Sequence, residues 1–456
     1  MNFLAAPFTT ESSTLRQLAT FFTELVDNRI TGTDCVVWGA LLLGVTCGVL
    51  GTFIVLRRQS LLGDAIGHAV LPGVLVGFFF SWIITGHGRS TPAMLMGAMV
   101  AGLLAAALIG WLRQTTVLKT AECMGVVFTG FYGIGIVLMK MLQTTPAGGQ
   151  AGLEKFLFGQ IAGISLADVQ LMAIVAAIAL GCVLVFWRKL AISSFDEQFA
   201  QSVGIGVRLI EHLLTALLTV AIVISIQAVG VVLVSAMLIT PAATAYLLTD
   251  RLYKMAILAG LFGAAAGFVG AILSLLGPTL PTGSFMVLGA STLFAGAFLL
   301  SPRHGLLPRL RRVWQQRRRV GAENLLRAMY LILERRQNQS DMRFGIDDIV
   351  AIRHESPAHV RRMAKLAASF GWIARNSPDP LVLTESGLAT ARQVVRNHRL
   401  WELFLTQEAK LAVDHVHADA EYIEHVLPRD VLAKLEQMLD NPVKDPHGSV
   451  IPSMWK

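Results

Sequence analysis

The sequence predicts an all-α polytopic membrane domain followed by a mostly α winged helix-turn-helix domain with further helices at its end. Three observations predict it. Of 456 residues, 54% are hydrophobic and only 15% charged, too little charge for a soluble protein of this length. The apolar character is confined: apolar runs recur from Met1 to about Ser301, whereas from about Ala322 the chain reads as an ordinary soluble domain. Within the first part the runs recur near the roughly 20 residues that a bilayer requires. They fall at about 35–56, 61–84, 92–112, 122–142, 167–187, 209–228, 230–249, 255–276 and 284–301. That makes about nine transmembrane helices, and the short gap near Gly230 leaves eight as the alternative count. The chain thus divides into a lead (1–33), a transmembrane domain (34–301), an arginine-rich linker (302–321), a winged helix-turn-helix (322–384) and helices with a tail (385–456).

In the lead, Leu15, Leu18, Phe22 and Leu25 fit one amphipathic helix lying on the membrane surface. The basic start and early apolar core of a secretory signal are missing. Charge sets the orientation. The formal net charge of +8 resides largely in 302–321, where Arg303, Arg309, Arg311, Arg312, Arg317, Arg318 and Arg319 occur without an acid. With nine spans these arginines share one side with Arg57 and Arg58, Arg113 and Lys119, Arg188 and Lys189, and Arg251 and Lys254. Basic loops stay inside, so the N-terminus is predicted outside and the C-terminal domain in the cytoplasm. Cys35, Cys47, Cys123 and Cys182 all fall in apolar spans, which implies neither a disulfide framework nor a cysteine-based zinc site. Glycines such as Gly44, Gly48 and Gly51, and Gly263, Gly267 and Gly270, permit close helix packing.

The second span carries Asp64 and His68, four residues apart and so on one helix face. Ionisable groups inside a span are costly and usually face a bundle interior or an aqueous path. A carboxylate oxygen and an imidazole nitrogen together suit divalent Mn, Fe or Zn. The longest polar interruption on the inside, 191–206, is a short amphipathic segment ending at Gly204 and Gly206. Such a loop suits docking into a groove of a cytoplasmic partner. The chain holds no Gly-x-x-x-x-Gly-Lys-Ser/Thr loop to cradle phosphates, so it is not expected to hydrolyse ATP.

These residues carry a resemblance. Asp64-Ala-Ile-Gly-His68-Ala-Val-Leu-Pro72-Gly73 is similar to the second-span signature of the metal-ion permeases of ABC importers. Ser194-Phe-Asp-Glu-Gln-Phe-Ala200 through Gly204 resembles the loop that engages the ATPase. Val229 through Ala245, with Thr240-Pro241, is similar to the family's proline-containing late span, and Leu280-Pro281-Thr282-Gly283 resembles its final outer turn. The resemblance covers about 34–301 and departs at Gly67, where many members carry serine. It implies a bacterial inner-membrane protein importing Mn, Fe or Zn, with Asp64 and His68 on the path. Phe195, Asp196, Glu197, Ala200 and Gly204 would then couple to the ATPase. It also implies three partners: a separate ATP-binding subunit, an external metal-binding solute-binding protein, and a second permease, identical or related. Two other readings carry their own discriminators. An ATPase-independent secondary transporter would persist without the ATPase, and a membrane-anchored regulator would not need its spans to transport.

In the soluble part, Leu325, Leu326, Met329, Tyr330 and Leu333 form one helix face. Residues 345–352 and 356–370 read as two more helices, and 371–375 with 381–384 as a hairpin around a Pro-rich turn. Ser356 and Pro357 cap the third helix, which displays His359, Arg361, Arg362 and Lys365 where DNA phosphates and base edges would be met. Beyond it, Leu383 through Gly387, His398 to Glu402 and His415 to His425 resemble the iron- and manganese-dependent repressors of the diphtheria-toxin-repressor type. Asp445-Pro-His-Gly448 is similar to their region after the metal-binding helices. The resemblance implies a metal set of His398, Glu402, His417, Glu421, Glu424 and His425, with a divalent transition metal as regulator. It departs in the first helix, where the family's ligands fall on Asn324 and Arg327. DNA is then a possible further partner, and throttling of transport by an attached domain is the competing use.

Overall fold

The computed structural model describes residues 32–85, 90–144, 164–276, 280–336, 341–374, 379–407, 429–440 and 442–452. All but the last two residues of the expected amphipathic lead lie outside them. The chain forms two compact units, Met1–Pro308 and Arg309–Lys456.

The first unit is helical. Its elements are α1 (Gly32–Leu56), α2 (Leu61–Thr85), α3 (Thr91–Thr115), α4 (Thr120–Gln143), α5 (Leu166–Val185), the short α6 (Trp187–Phe195) and α7 (Glu197–Ser202), then α8 (Val207–Val229), α9 (Val231–Leu248), α10 (Leu252–Ser274) and α11 (Thr282–Leu300). Among the described residues eight helices are long and apolar enough to cross a membrane, and the shorter apolar stretch Leu233–Leu248 lies in α9. The two expected spans around Gly230 are therefore separate helices. Gly230 ends α8 and starts α9 at φ +87°, a conformation that favours glycine. From there α9 runs alongside α11 in the same direction. Val229 lies against Gly283 at the start of α11, whereas the Leu247 carbonyl accepts from the Ser301 hydroxyl just past its end (2.5 Å).

Small residues decide how the helices meet. A Cβ on Gly44 would collide with the Gly263 carbonyl and one on Gly263 with the Gly44 carbonyl, so α1 and α10 cross backbone to backbone. Gly73 and Gly97 stand in the same reciprocal relation between α2 and α3. Close approach of this kind replaces the hydrophobic drive that lipid cannot supply. The apolar centre is built from residues such as Leu50, Phe53, Ile66, Leu71, Leu75, Phe78, Leu218 and Met237.

The basic loops gather at one end. Arg57 donates to Ser193 and Ser194 on α6, Arg113 pairs with Glu211 and Glu197, and Arg303 pairs with Asp250.

The second unit holds most of α12 (Leu306–Arg335), then β1 (Arg343–Phe344), α13 (Ile346–Arg353), α14 (Pro357–Ser369), β2 (Leu381–Val382), α15 (Glu385–Gln407) and α16 (Arg429–Met438). Leu325, Leu326, Met329 and Ile332 of α12 pack with Ile349, Val360, Ala364 and Ala367. A smaller core joins Leu400 and Leu403 to Leu432, Leu435 and Ile451. Two features differ from the sequence expectation. The arginine-rich linker is helical from Leu306 and runs without a break into the first helix of the winged domain. The expected hairpin keeps an isolated bridge between Ile373 and Leu383, but β2 forms its ladder with β1, Phe344 opposite Leu381.

Gly73→Ala should strain the α2–α3 crossing by about 1–3 kcal/mol, the usual cost of overpacking, and lower the unfolding midpoint of the detergent-solubilised protein. Gly181→Ala, with no atom within 4 Å of the new methyl, should leave it in place. Equal midpoints would contradict the packing described.

Candidate metal path and cytoplasmic coupling surface

Asp64 lies in the first turn of α2, where a helix N-terminus favours a negative charge, and His68 follows one turn later. Both are half-buried. The imidazole meets the rings of Phe128 and Tyr132 edge-on, at 4.9 and 5.1 Å between centroids. Those two rings stack on each other at 5.9 Å and form one aromatic wall on α4. On another side of α2, Gly63 lies near Ser235 and Leu238, and Gly67 near Val231 and Val234, all on α9. The helix is thus wedged by its glycines against α9 while its imidazole meets α4. Among the described residues no group of three or more His, Cys, Asp or Glu could hold a metal ion. The pair offers two donors where a closed site commonly uses four.

A cavity of about 230 Å³ lies on the side of the basic loops, lined by Leu62, Thr120, Met124, Arg113, Glu197, Glu211 and His212 among others.

The five residues expected to couple to an ATPase have different jobs. The Asp196 side chain accepts from the Phe199 N–H (2.8 Å) and caps α7. Glu197 faces Arg113 at 3.7 Å, Ala200 is buried, and Gly204 turns the chain at φ +80°. Phe195 is 67% exposed, and with it Phe199 at 54% and Val203 at 58%. Phe199 and Val203 were not among the expected residues, although the spacing of four from Phe195 is visible in the sequence. Behind this surface, Arg57 donates to the Ser193 and Ser194 hydroxyls at 2.9 and 3.2 Å. Burial lowers the pKa of this guanidinium, and Glu211 and Glu197 act the other way.

In the second unit, Ser356 accepts from the His359 N–H and caps α14. Ser356, Pro357, His359, Arg361, Arg362 and Lys365 are all exposed, while Val360, Ala364 and Ala367 hold the opposite face in the core. Gly387 brings α15 against the Trp372 carbonyl, where a Cβ would collide. Farther along α15, His398 and Glu402 are buried side by side, with Nε2 and Oε1 2.9 Å apart. Arg327 of α12 reaches the same nitrogen, Nη2 to Nε2 2.8 Å. That places a cation of the chain at Nε2, where a metal ion bound to this nitrogen would have to sit. His417, Glu421, Glu424 and His425 lie outside the described residues.

Residues 32–301 match the model of the ABC 3 transport family. The chain belongs to that family. As an ABC 3 permease it also matches, over 384–453, the metal binding and dimerisation domain of iron dependent repressors. It is 36% identical over 408 residues to the manganese transport system membrane protein MntC of Bacillus subtilis, covering 89% of this chain and 91% of that protein. It is 40% identical over 283 residues to the zinc transport system membrane protein TroC of Treponema pallidum, covering 62% and 92%. PsaBC from Streptococcus pneumoniae, solved with a Fab, superposes with a TM-score of 0.54 at 34% identity, over 63% of this chain and 97% of that one. The Bacillus match is longer than the 301 residues up to the end of the spans, so the similarity to this permease continues into the second unit.

Arg113→Ala should loosen α7 from α3 and α8. Both ion pairs are partly exposed, so about 0.2–1 kcal/mol is at stake. That corresponds to a rise of up to about fivefold in hydrogen exchange over 196–204. Unchanged exchange there would show that Arg113 does not hold the segment.

Proposed function

We propose that this permease is the membrane subunit of an ATP-driven importer of a divalent transition metal, Mn, Fe or Zn, with Asp64 and His68 as transient ligands on the path. One observation carries the reading. A carboxylate and an imidazole stand half-buried, one turn apart, in a membrane-length helix against an aromatic wall. Such groups are costly in a span, and a cation repays the cost while it passes. Two donors hold an ion weakly. A second permease, a copy of this chain or a related one, would bring its own pair and complete four donors in a site open enough to release the ion. That relatives serve a manganese and a zinc system supports a metal class rather than one metal, as the mixed donor set does. The cavity beside Glu197 and Glu211 lies on the way out.

ATP hydrolysis belongs to a separate ATP-binding subunit, which seats on Phe195, Phe199 and Val203, and an external metal-binding protein delivers the ion. The N-terminus is outside the bacterial inner membrane and the second unit is cytoplasmic. That unit is a metal-responsive regulator whose His417, Glu421, Glu424 and His425 read the imported ion. The exposed basic face of α14 favours DNA as its target, with control of transport by the attached domain as the alternative.

Asp64→Asn should reduce uptake of radioactive manganese, iron or zinc to background in cells while the protein still copurifies with its ATPase. Undiminished uptake would overturn the path, and uptake that survives deletion of the ATPase would indicate a secondary transporter. Phe199→Asp should instead abolish copurification. Retention of the ATPase at wild-type yield would remove α7 as the coupling surface.

A further inference from the structure

The buried pair on α15 carries an inference of its own. The Glu402 carboxylate is 2% exposed and the His398 ring 4%, and a carboxylate so deeply buried requires a compensating cation. His398 Nε2 lies 2.9 Å from Glu402 Oε1, and Arg327 Nη2 lies 2.8 Å from the same nitrogen. A guanidinium has donors and no acceptor. Nε2 of the imidazole therefore lies between a guanidinium nitrogen and a carboxylate oxygen. A metal ion brought to Nε2 would have to sit beside a fixed positive charge. The carboxylate touches the imidazole, and the same imidazole nitrogen touches an arginine.

A second guanidinium ties the same two helices together. Arg399, buried on α15, makes a two-pronged contact with Glu334 of α12 (3.0 and 2.7 Å). It also donates to the Val450 carbonyl at 2.5 Å and faces Asp445 at 3.4 Å. Burial alone would lower its pKa, but Glu334 and Asp445 reverse the sign and hold it above the ordinary arginine value. The α12–α15 seam is thus closed at two levels by charges that the chain supplies itself.

We propose that Arg327 is the resident cation of the His398–Glu402 pair. It takes the place of a metal ion and holds α12 to α15 whether or not metal is present. Any metal response of the second unit then leaves this pair out, and the seam stays closed in metal-starved and metal-replete cells alike. The inference rests on the geometry of the second unit and is independent of the uptake reading. Its tests do not involve Asp64 or His68.

The test uses the full-length protein in detergent and follows hydrogen exchange of peptides covering 385–407, in chelator and with added Mn²⁺ or Zn²⁺. The wild-type segment should exchange at rates within about twofold in both conditions. Arg327→Glu should exchange more than tenfold faster in chelator and recover on adding metal, because the new carboxylate removes the cation and completes a ligand set. Arg327→Lys, which retains a cation, should stay within about threefold of wild type in chelator. His398→Gln should leave the metal content of the purified chain unchanged. A wild-type segment that is protected only with metal would overturn the proposal, as would an Arg327→Glu segment as slow as wild type in chelator. Loss of one bound metal equivalent in His398→Gln would overturn it too. If Arg327→Glu does not fold, the wild-type, lysine and metal-content measurements still decide.

Discussion

A carboxylate in a membrane-length helix costs several kcal/mol unless its surroundings compensate, and Asp64 is placed where that cost is least. It sits in the first turn of α2, at the positive end of the helix,, one turn before an imidazole. The imidazole is packed against Phe128 and Tyr132. What keeps α2 in that position is backbone contact: Gly73 against Gly97 on α3, and Gly63 and Gly67 against α9. The stretch from Gly63 to Gly73 thus sets its two ionisable side chains among the glycines that hold the helix, an arrangement suited to the proposed ion path. A side chain at Gly73 would push α2 from α3 and move both donors at once.

The same division recurs at the end where the basic loops lie. Asp196, Ala200 and Gly204 shape α7 and the turn after it, while Arg57 fastens α6 and Arg113 fastens α7. Only then do Phe195, Phe199 and Val203 present an apolar surface outward. Because Arg113 reaches both Glu197 on α7 and Glu211 on α8, a push on α7 acts directly on the cavity that these three residues line.

Much of this is legible in the sequence for physical reasons. Spans of about 20 apolar residues, a four-residue spacing of Asp64 and His68, and paired glycines are local patterns, and each maps onto one helix or one face. The losses are equally physical. The arginines of 302–321 read as a linker because a run of like charge masks helix propensity, yet arginine is a good helix former and Arg318 lies over the Trp314 ring at 4.6 Å. Strand β1 is two residues long and has no alternation to detect, so its pairing with β2 was hidden. That Arg327 stands at a ligand position was visible, but its contact with His398 spans 71 residues and exists only in the fold.

Asp64 and His68 are proposed to ligate the ion in transit. Anomalous diffraction from the intact importer, loaded with its metal and halted before ATP hydrolysis, tests it most directly. The predicted result is a peak beside α2 within about 2.0–2.3 Å of both an Asp64 carboxylate oxygen and a His68 ring nitrogen, the usual ligand distances for such ions. A peak within the spans that touches neither residue would contradict it.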